Sequence, residues 1–277
     1  MAKPVINIVT KPATIPTDKT VLNPLLQASH PNQILILGAT GAIGQAFYQQ
    51  MASQYPDSQI TLFARNLTKL QKQVTEIKPI HANTLTFKID LESTDSIDQA
   101  CSNIPKGKSF DLIFIASGWL HDAQFSPEKT WKSLDSESLH KSYQINAVGP
   151  TLFLKTLFNT MNLKHPTVIG VLSARVGSIS DNRMGGWHSY RASKAALNML
   201  IKNMAIELQR KRCPVCIVGL QPGTTDSALS KPFQRHLSQD QLQSPAFTSQ
   251  KLFKVMQTLT KAQSGTLLDF EGQTFEP

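Results

Sequence analysis

Cysteine is scarce. Three residues in a chain of 277 cannot build a disulfide framework. Two of them form Cys213-Pro-Val-Cys216, a spacing met in redox and zinc sites, but no second pair accompanies it. The pair opens the apolar run VCIVGL and reads as small side chains at a strand start. The seven histidines include no i,i+4 pair and no H-E-x-x-H, so no metal site is expected. Long hydrophobic runs are also missing, and none reaches the ~18 residues a spanning helix needs. The first residues lack the apolar core of a secretion signal and the Arg- and Ser-rich character of a transit peptide. Cytoplasm is the expected location. Charged residues make up 17% and hydrophobic ones 40%, as in an ordinary globular enzyme. The formal charge is +9, yet lysine and arginine form no run interleaved with aromatics. No nucleic-acid or membrane partner is expected. The basic balance suits a phosphate-rich cofactor instead.

What is present is a rhythm. Residues 1–32 are punctuated by proline and read as an extended arm. Short apolar runs then recur at Ile34–Leu37, Ile60–Phe63, Leu85–Ile89, Leu112–Ile115, Val168–Leu172, Val215–Leu220 and Thr266–Phe270. Between most of them lie stretches with helical spacing, such as IGQAFYQQMASQY and GPTLFLKTLFNTM. Continuous apolar strands alternating with amphipathic helices predict an α/β fold, a parallel sheet covered by helices on both faces. Right-handed crossovers make it doubly wound, with the ligand outside the strand carboxyl ends. Residues 33–277 read as one domain holding both cofactor and substrate sites.

The first run leads into Gly38-Ala-Thr40-Gly41-Ala42-Ile43-Gly44 and then a helix. Glycines there permit the tight turn and let backbone N–H groups meet a pyrophosphate at the helix's positive end. After the second run comes Ala64-Arg65-Asn66, with no carboxylate to take ribose hydroxyls. Arg65 can pair with a 2′-phosphate instead, so NADP(H) is the expected cofactor and NAD(H) the alternative. Asp90-Leu91 follows the third run, where the adenine should lie, and Ala116-Ser117-Gly118 follows the fourth.

The densest stretch is SARVGSISDNRMGGWHSYRASKAA, residues 173–196. Tyr190 and Lys194 lie four apart on a predicted helix and so share one face. The nearby ammonium is expected to pull the phenol pKa down from its usual ~10, towards values useful for proton transfer.

With GATGAIG, KIDL, GWLHD, YQINAVGP, LQPGTTDSALSKPFQ and SGTLLDFEG in the same order, the sequence resembles the short-chain dehydrogenase/reductase family over about residues 33–277. Within it, the likeness is to the C-factor-like, cell-signalling type. The resemblance implies a Rossmann fold with a seven-stranded, mainly parallel sheet. It implies hydride transfer between NADPH and a carbonyl or alcohol substrate, as in a carbonyl reductase. Tyr190 is then the acid/base, Lys194 lowers its pKa and holds the nicotinamide ribose, and Asn146 anchors a relay water. Pro222, Gly223, Thr224, Thr225 and Ser227 resemble the loop that wraps the nicotinamide. A homo-oligomer, a dimer, is implied as well.

Three positions depart from the family pattern. Ile115-Ala116 replaces the paired asparagines after the fourth strand, and Ala42 stands where many members have glycine. The usual serine pair reads Ser173-Ala174, with the catalytic hydroxyl more often in the second place. Ser173 is the expected donor, ahead of Ser178 and Ser189. Trp119, Trp187 and His188 are candidates to line the substrate pocket or to anchor its loops. The segment 227–247 is expected to form a lid. The departures also admit a second reading, a nucleotide-binding signalling or interaction protein with dispensable catalysis.

Overall fold

The computed structural model describes residues 30–77, 81–236, 238 and 241–277. Residues 1–29 of the expected arm lie outside them.

Seven strands form one sheet: β1 (Gln33–Leu37), β2 (Gln59–Ala64), β3 (Thr84–Lys88), β4 (Leu112–Ile115), β5 (Thr167–Leu172), β6 (Val215–Gln221) and β9 (Leu267–Asp269). Their order is β3-β2-β1-β4-β5-β6-β9, and every pairing is parallel. β7 (Thr224–Thr225) and β8 (Leu242–Gln243) make a separate two-residue ladder. All seven apolar runs became sheet strands; the inner ones, buried on both faces, need no polar alternation, whereas the edge strand β3 leaves Leu85 exposed.

The helices are α1 (Ala42–Gln54), α2 (Leu67–Glu76), α3 (Thr94–Ser102), α4 (Ser136–Tyr143), α5 (Gly149–Thr160), α6 (His188–Arg210) and α7 (Pro245–Gln257). Alternate strand residues sort the core in two. Ile34, Ile36, Leu62, Phe114 and Val218 face α1, α2 and α7 through Phe47, Met51, Leu70 and Met256. Leu35, Leu37, Ile113, Ile169 and Ile217 face α3, α5 and α6 through Ile97, Phe153, Leu157 and Ile201. Side chains supply the caps of several helices. Asn66 accepts from Lys69 N, Ser93 from Ser96 N, Asp135 from Ser138 N and Ser244 from Phe247 N. Cys216 is buried within β6, and desolvation pushes its thiol up to about 12.

Strand order reverses between β1 and β4, so the chain leaves their carboxyl ends in opposite directions and opens a crevice there. Phe114 of β4 is fully buried and stacks on Phe47 of α1 at 4.1 Å and 19°, fixing that helix under the crevice. Phe114→Ala is expected to cost about 3–5 kcal/mol in urea unfolding. A loss below about 1 kcal/mol would show that this contact does not set the position of α1.

Candidate active site

The turn after β1 is shaped by contacts that leave no room for side chains. A Cβ on Gly38 would lie 2.8 Å from the Ala116 carbonyl carbon, and one on Gly44 only 2.4 Å from Gly38 O. Gly38 N and Ala39 N both donate to Phe63 O, at 2.9 and 3.2 Å, which binds the turn to β2. Gly41 is the N-cap of α1 and offers no side-chain acceptor; the first turn carries no acidic residue. The free N–H groups there suit an anion. Ala42 and Ile43 are half-buried in that turn, so the extra methyl at Ala42 is accommodated.

A cavity of about 230 Å³ opens beside this turn. It gathers Gly38, Thr40, Gly41, Arg65, Asp90, Leu91, Ala116, Ser117 and Gly118, all expected at the cofactor, and Trp119, expected to line the substrate pocket or anchor its loops, together with Ala64, Glu92 and Ile145, which were not expected. Ser117 Oγ is buried there without a hydrogen-bond partner. An orphaned hydroxyl, a Cβ-free glycine turn and an uncapped helix end fit a dinucleotide. Arg65 shares the rim with Glu92, its guanidinium 3.5 Å from the carboxylate. Asp90 turns one carboxylate oxygen back to Glu92 N at 3.0 Å.

At the inner end stand the residues of helix α6. A Cβ on Gly118 would sit 3.9 Å from both Asn146 Oδ1 and Lys194 Nζ, so these three positions converge. Lys194 is 2% exposed; its ammonium donates to Leu172 O at 3.0 Å and lies 5.8 Å from the Tyr190 ring centre. Asn146 occupies a π-helical turn, Gln144–Val148, between α4 and α5. Such turns recur at functional sites because they re-aim a side chain. Its amide accepts from Trp119 N at 2.7 Å and donates to Trp119 O at 2.8 Å. Its other amide hydrogen is shared between Ser142 Oγ and Ser193 Oγ, at 3.2 and 3.0 Å. Asn146 therefore braces the chain leaving β4, where the family's paired asparagines are missing.

Two expectations need correction. The phenol of Tyr190 is not lowered by its lysine: burial pushes it up to about 12, and burial likewise pulls Lys194 down to about 8. Desolvation favours both neutral forms and outweighs the attraction between them. Ser173 is the other. Its hydroxyl is buried and donates to Asn198 Oδ1 at 2.6 Å. Asn198 lies two helical turns beyond Tyr190, about 12 Å along α6. The chain is still extended at Ala174 (φ −152, ψ 144), so neighbouring side chains point to opposite sides. A hydroxyl one residue early thus faces into the core. The weaker candidates are committed as well. Ser178 Oγ accepts from Asp181 N at 3.1 Å and lies 3.3 Å from Ser180 Oγ, and Ser189 Oγ donates to Glu128.

The Pro222–Ser227 loop does not line the cavity, and two of its hydroxyls are engaged elsewhere, one with α7 and one within the following turn. Thr225 Oγ1 meets Thr248 Oγ1 at 2.8 Å, and Ser227 Oγ accepts from Ser230 N at 3.2 Å. Beyond it, Phe233 of the expected lid segment packs on Trp187, at the start of α6, at 4.8 Å and on His121, in the loop after β4, at 5.6 Å. Phe247 belongs instead to α7. Trp187 lies 6.3 Å from Tyr190, ring centre to ring centre.

A family model described as short chain dehydrogenase matches residues 32–238. The chain belongs to the short-chain dehydrogenase family. Membership makes it an oxidoreductase that works with a nicotinamide cofactor on a small molecule. A relative, 1-hydroxy-2-glutathionyl-2-methyl-3-butene dehydrogenase of Rhodococcus sp. strain AD45, is 29% identical over 187 residues, 66% of this chain and 76% of its own. The C-signal of Myxococcus xanthus is 25% identical over 139 residues, covering 50% of this chain and 78% of that protein. The likeness to the cell-signalling type is thus confined to half of this short-chain dehydrogenase. An NADPH-bound carbonyl reductase from chicken fatty liver shares the fold, with a TM-score of 0.77 at 21% identity over 90% of this chain and 100% of that one.

The buried lysine gives a pH signature. The unfolded chain holds the Lys194 proton to about 10.5, whereas the folded chain releases it from about 8. Between these values the unfolded state binds more protons, so raising pH favours the folded state. Relative to Lys194→Met, the wild type should gain stability from pH 8 to 10, approaching about 3 kcal/mol across the full window. Above pH 10 the raised Tyr190 phenol acts in the opposite sense. Denaturant midpoints at pH 7.5 and 9.5 test this; a constant difference between the two proteins would mean that Lys194 titrates as an exposed lysine.

Proposed function

We propose that this oxidoreductase reduces carbonyl substrates with NADPH, with Tyr190 as the proton donor. The observation that carries the reading is the convergence of Lys194, Asn146 and Gly118 at the inner end of a glycine-turn cavity, one helical turn from Tyr190. At neutral pH a phenol pushed up to about 12 holds its proton, as a donor to a forming alkoxide must. Lys194, still mainly ammonium below about 8, supplies positive charge next to it and a donor towards a ribose. A nicotinamide cofactor would supply the hydride. Arg65 is the residue to meet a 2′-phosphate: β2 ends without a carboxylate, and the Arg65 side chain is 70% exposed on the cavity rim. The NADPH in the chicken carbonyl reductase, a fold relative, agrees with that choice.

No candidate serine offers a free hydroxyl to polarise the carbonyl. Loss of one such donor costs about 3 kcal/mol of transition-state stabilisation, so turnover should be slow rather than absent. We further read residues 33–277 as one domain of a cytoplasmic homodimer, which sedimentation of the purified protein would check.

Titration with NADPH and NADH, followed by NADPH consumption with a panel of aldehydes, ketones and quinones, tests the proposal. Tight NADPH binding without turnover on any of them would return weight to a binding protein. Tyr190→Phe should remove turnover by about a thousandfold or more while leaving NADPH affinity within a few-fold. Full activity in that variant would sink the proton-donor role. Arg65→Ala should weaken NADPH binding about tenfold or more and leave NADH nearly unchanged; equal losses would remove the 2′-phosphate contact.

A further inference from the structure

Helix α6 carries Tyr190 in its first turn, yet its own N-cap residue does not cap it. Trp187 occupies that place in the left-handed region (φ 49, ψ 41), with no side-chain bond to the helix N–H groups. A bulky residue in that conformation is an outlier, and outliers persist where surrounding contacts over-determine them. The missing acceptor arrives from 61 residues upstream. Glu128, 4% exposed, accepts Ser189 N on one carboxylate oxygen at 3.2 Å and Ser189 Oγ on the other. Its main-chain oxygen accepts Trp187 N at 2.5 Å. One residue of the loop after β4 thus takes hydrogen bonds from both the N-cap and the first turn of α6.

Among the described residues no cation pairs with Glu128. A buried carboxylate in that state costs stability, offset only by its hydrogen bonds and by the positive end of the helix. A serine or aspartate at position 187 would cap the helix without burying a remote charge. What the remote arrangement adds is a second grip on Ser189, the residue before Tyr190. Ser142 Oγ donates to Ser189 O at 3.1 Å and Ser193 Oγ to Tyr190 O at 2.8 Å. The carbonyls entering and leaving Tyr190 are therefore held by buried serines, and the N–H one residue earlier by Glu128.

We propose that Glu128 is a positioning residue whose carboxylate fixes the first turn of α6, and through it the Tyr190 phenol and the Trp187 indole. This rests on Tyr190 as the proton donor. The same clamp joins the loop after β4 to α6, so the loop that frames the cavity and the helix that carries the phenol hold one register.

Full-length Glu128→Gln, Glu128→Ala and Tyr190→Phe, compared with the wild type, test this by amide hydrogen exchange and by kinetics. Glutamine keeps one acceptor oxygen and alanine none, so effects should be graded. In Glu128→Ala the amides of residues 187–191 should exchange about tenfold faster or more, with the rest of α6 unchanged. On the carbonyl that turns over fastest, kcat should fall about tenfold in Glu128→Gln and further in Glu128→Ala, with NADPH affinity and KM within about twofold. Wild-type exchange and kcat in both Glu128 variants, with Tyr190→Phe inactive, would overturn the positioning role alone. Full activity in Tyr190→Phe would overturn the donor reading and this proposal with it. A parallel fall of kcat, NADPH affinity and melting temperature would reduce Glu128 to a support of the fold and overturn the proposal.

Discussion

Covering both faces of a parallel sheet leaves its strand ends as the place for chemistry. Here the helices fill both faces with separate apolar cores, so neither is free for a ligand. The reversal of order between β1 and β4 then parts the loops at one end. Gly38 and Gly44 let β1, α1 and the start of the β4 loop meet at distances no side chain would permit. Asn146 ties that loop to the π-turn, and Ser142 and Ser193 tie the π-turn to α6. The side chains of Asn146, Ser142 and Ser193 are fully buried, and a buried network is rigid only when its members are satisfied.

The strands and the glycine turn were legible because their signals are local. Apolar runs of the right length, interrupted by helical periodicity, specify the layers without knowledge of any contact. The cavity residues from Gly38 to Gly118 follow from strand ends in the same way. Glu92 and Glu128 were not legible: each acts through a partner far off in the sequence or across a loop, and neither sits in a periodic pattern. Asn198 could have been found, being one turn beyond Lys194 on the same helix face. Ser173 misled because extended chain alternates. A shift of one residue, invisible in a motif, sends the hydroxyl to the opposite side.

The direction of the Tyr190 shift carries a lesson about charge. Spacing four residues apart on a helix brings a lysine near a tyrosine, but it does not fix the sign of their mutual effect. In water the pair would weakly favour phenolate; desolvated, both groups lean towards neutrality. The two groups therefore depend on what fills the cavity beside them. An anionic dinucleotide would favour the ammonium of Lys194, and a charged lysine would in turn favour phenolate. With Tyr190 as the proposed donor, proton transfer would in this way be coupled to occupation of the cofactor site.

Arg65 illustrates how weak pairing can serve such a site. Its contact with Glu92 is between two solvent-accessible side chains, and pairs of that kind contribute about 0–1 kcal/mol. The pairing orients the guanidinium over the rim without holding it there. A phosphate, with more charge and more acceptor oxygens than one carboxylate, would outcompete Glu92 for the same donors. A nucleotide lacking that phosphate would leave the pair intact and gain nothing from Arg65. Glu92 would then stand on the rim as a carboxylate beside the ribose end of the cavity. On the proposed reading, the balance between these two nearby charges, rather than the presence of an arginine alone, would set the cofactor preference.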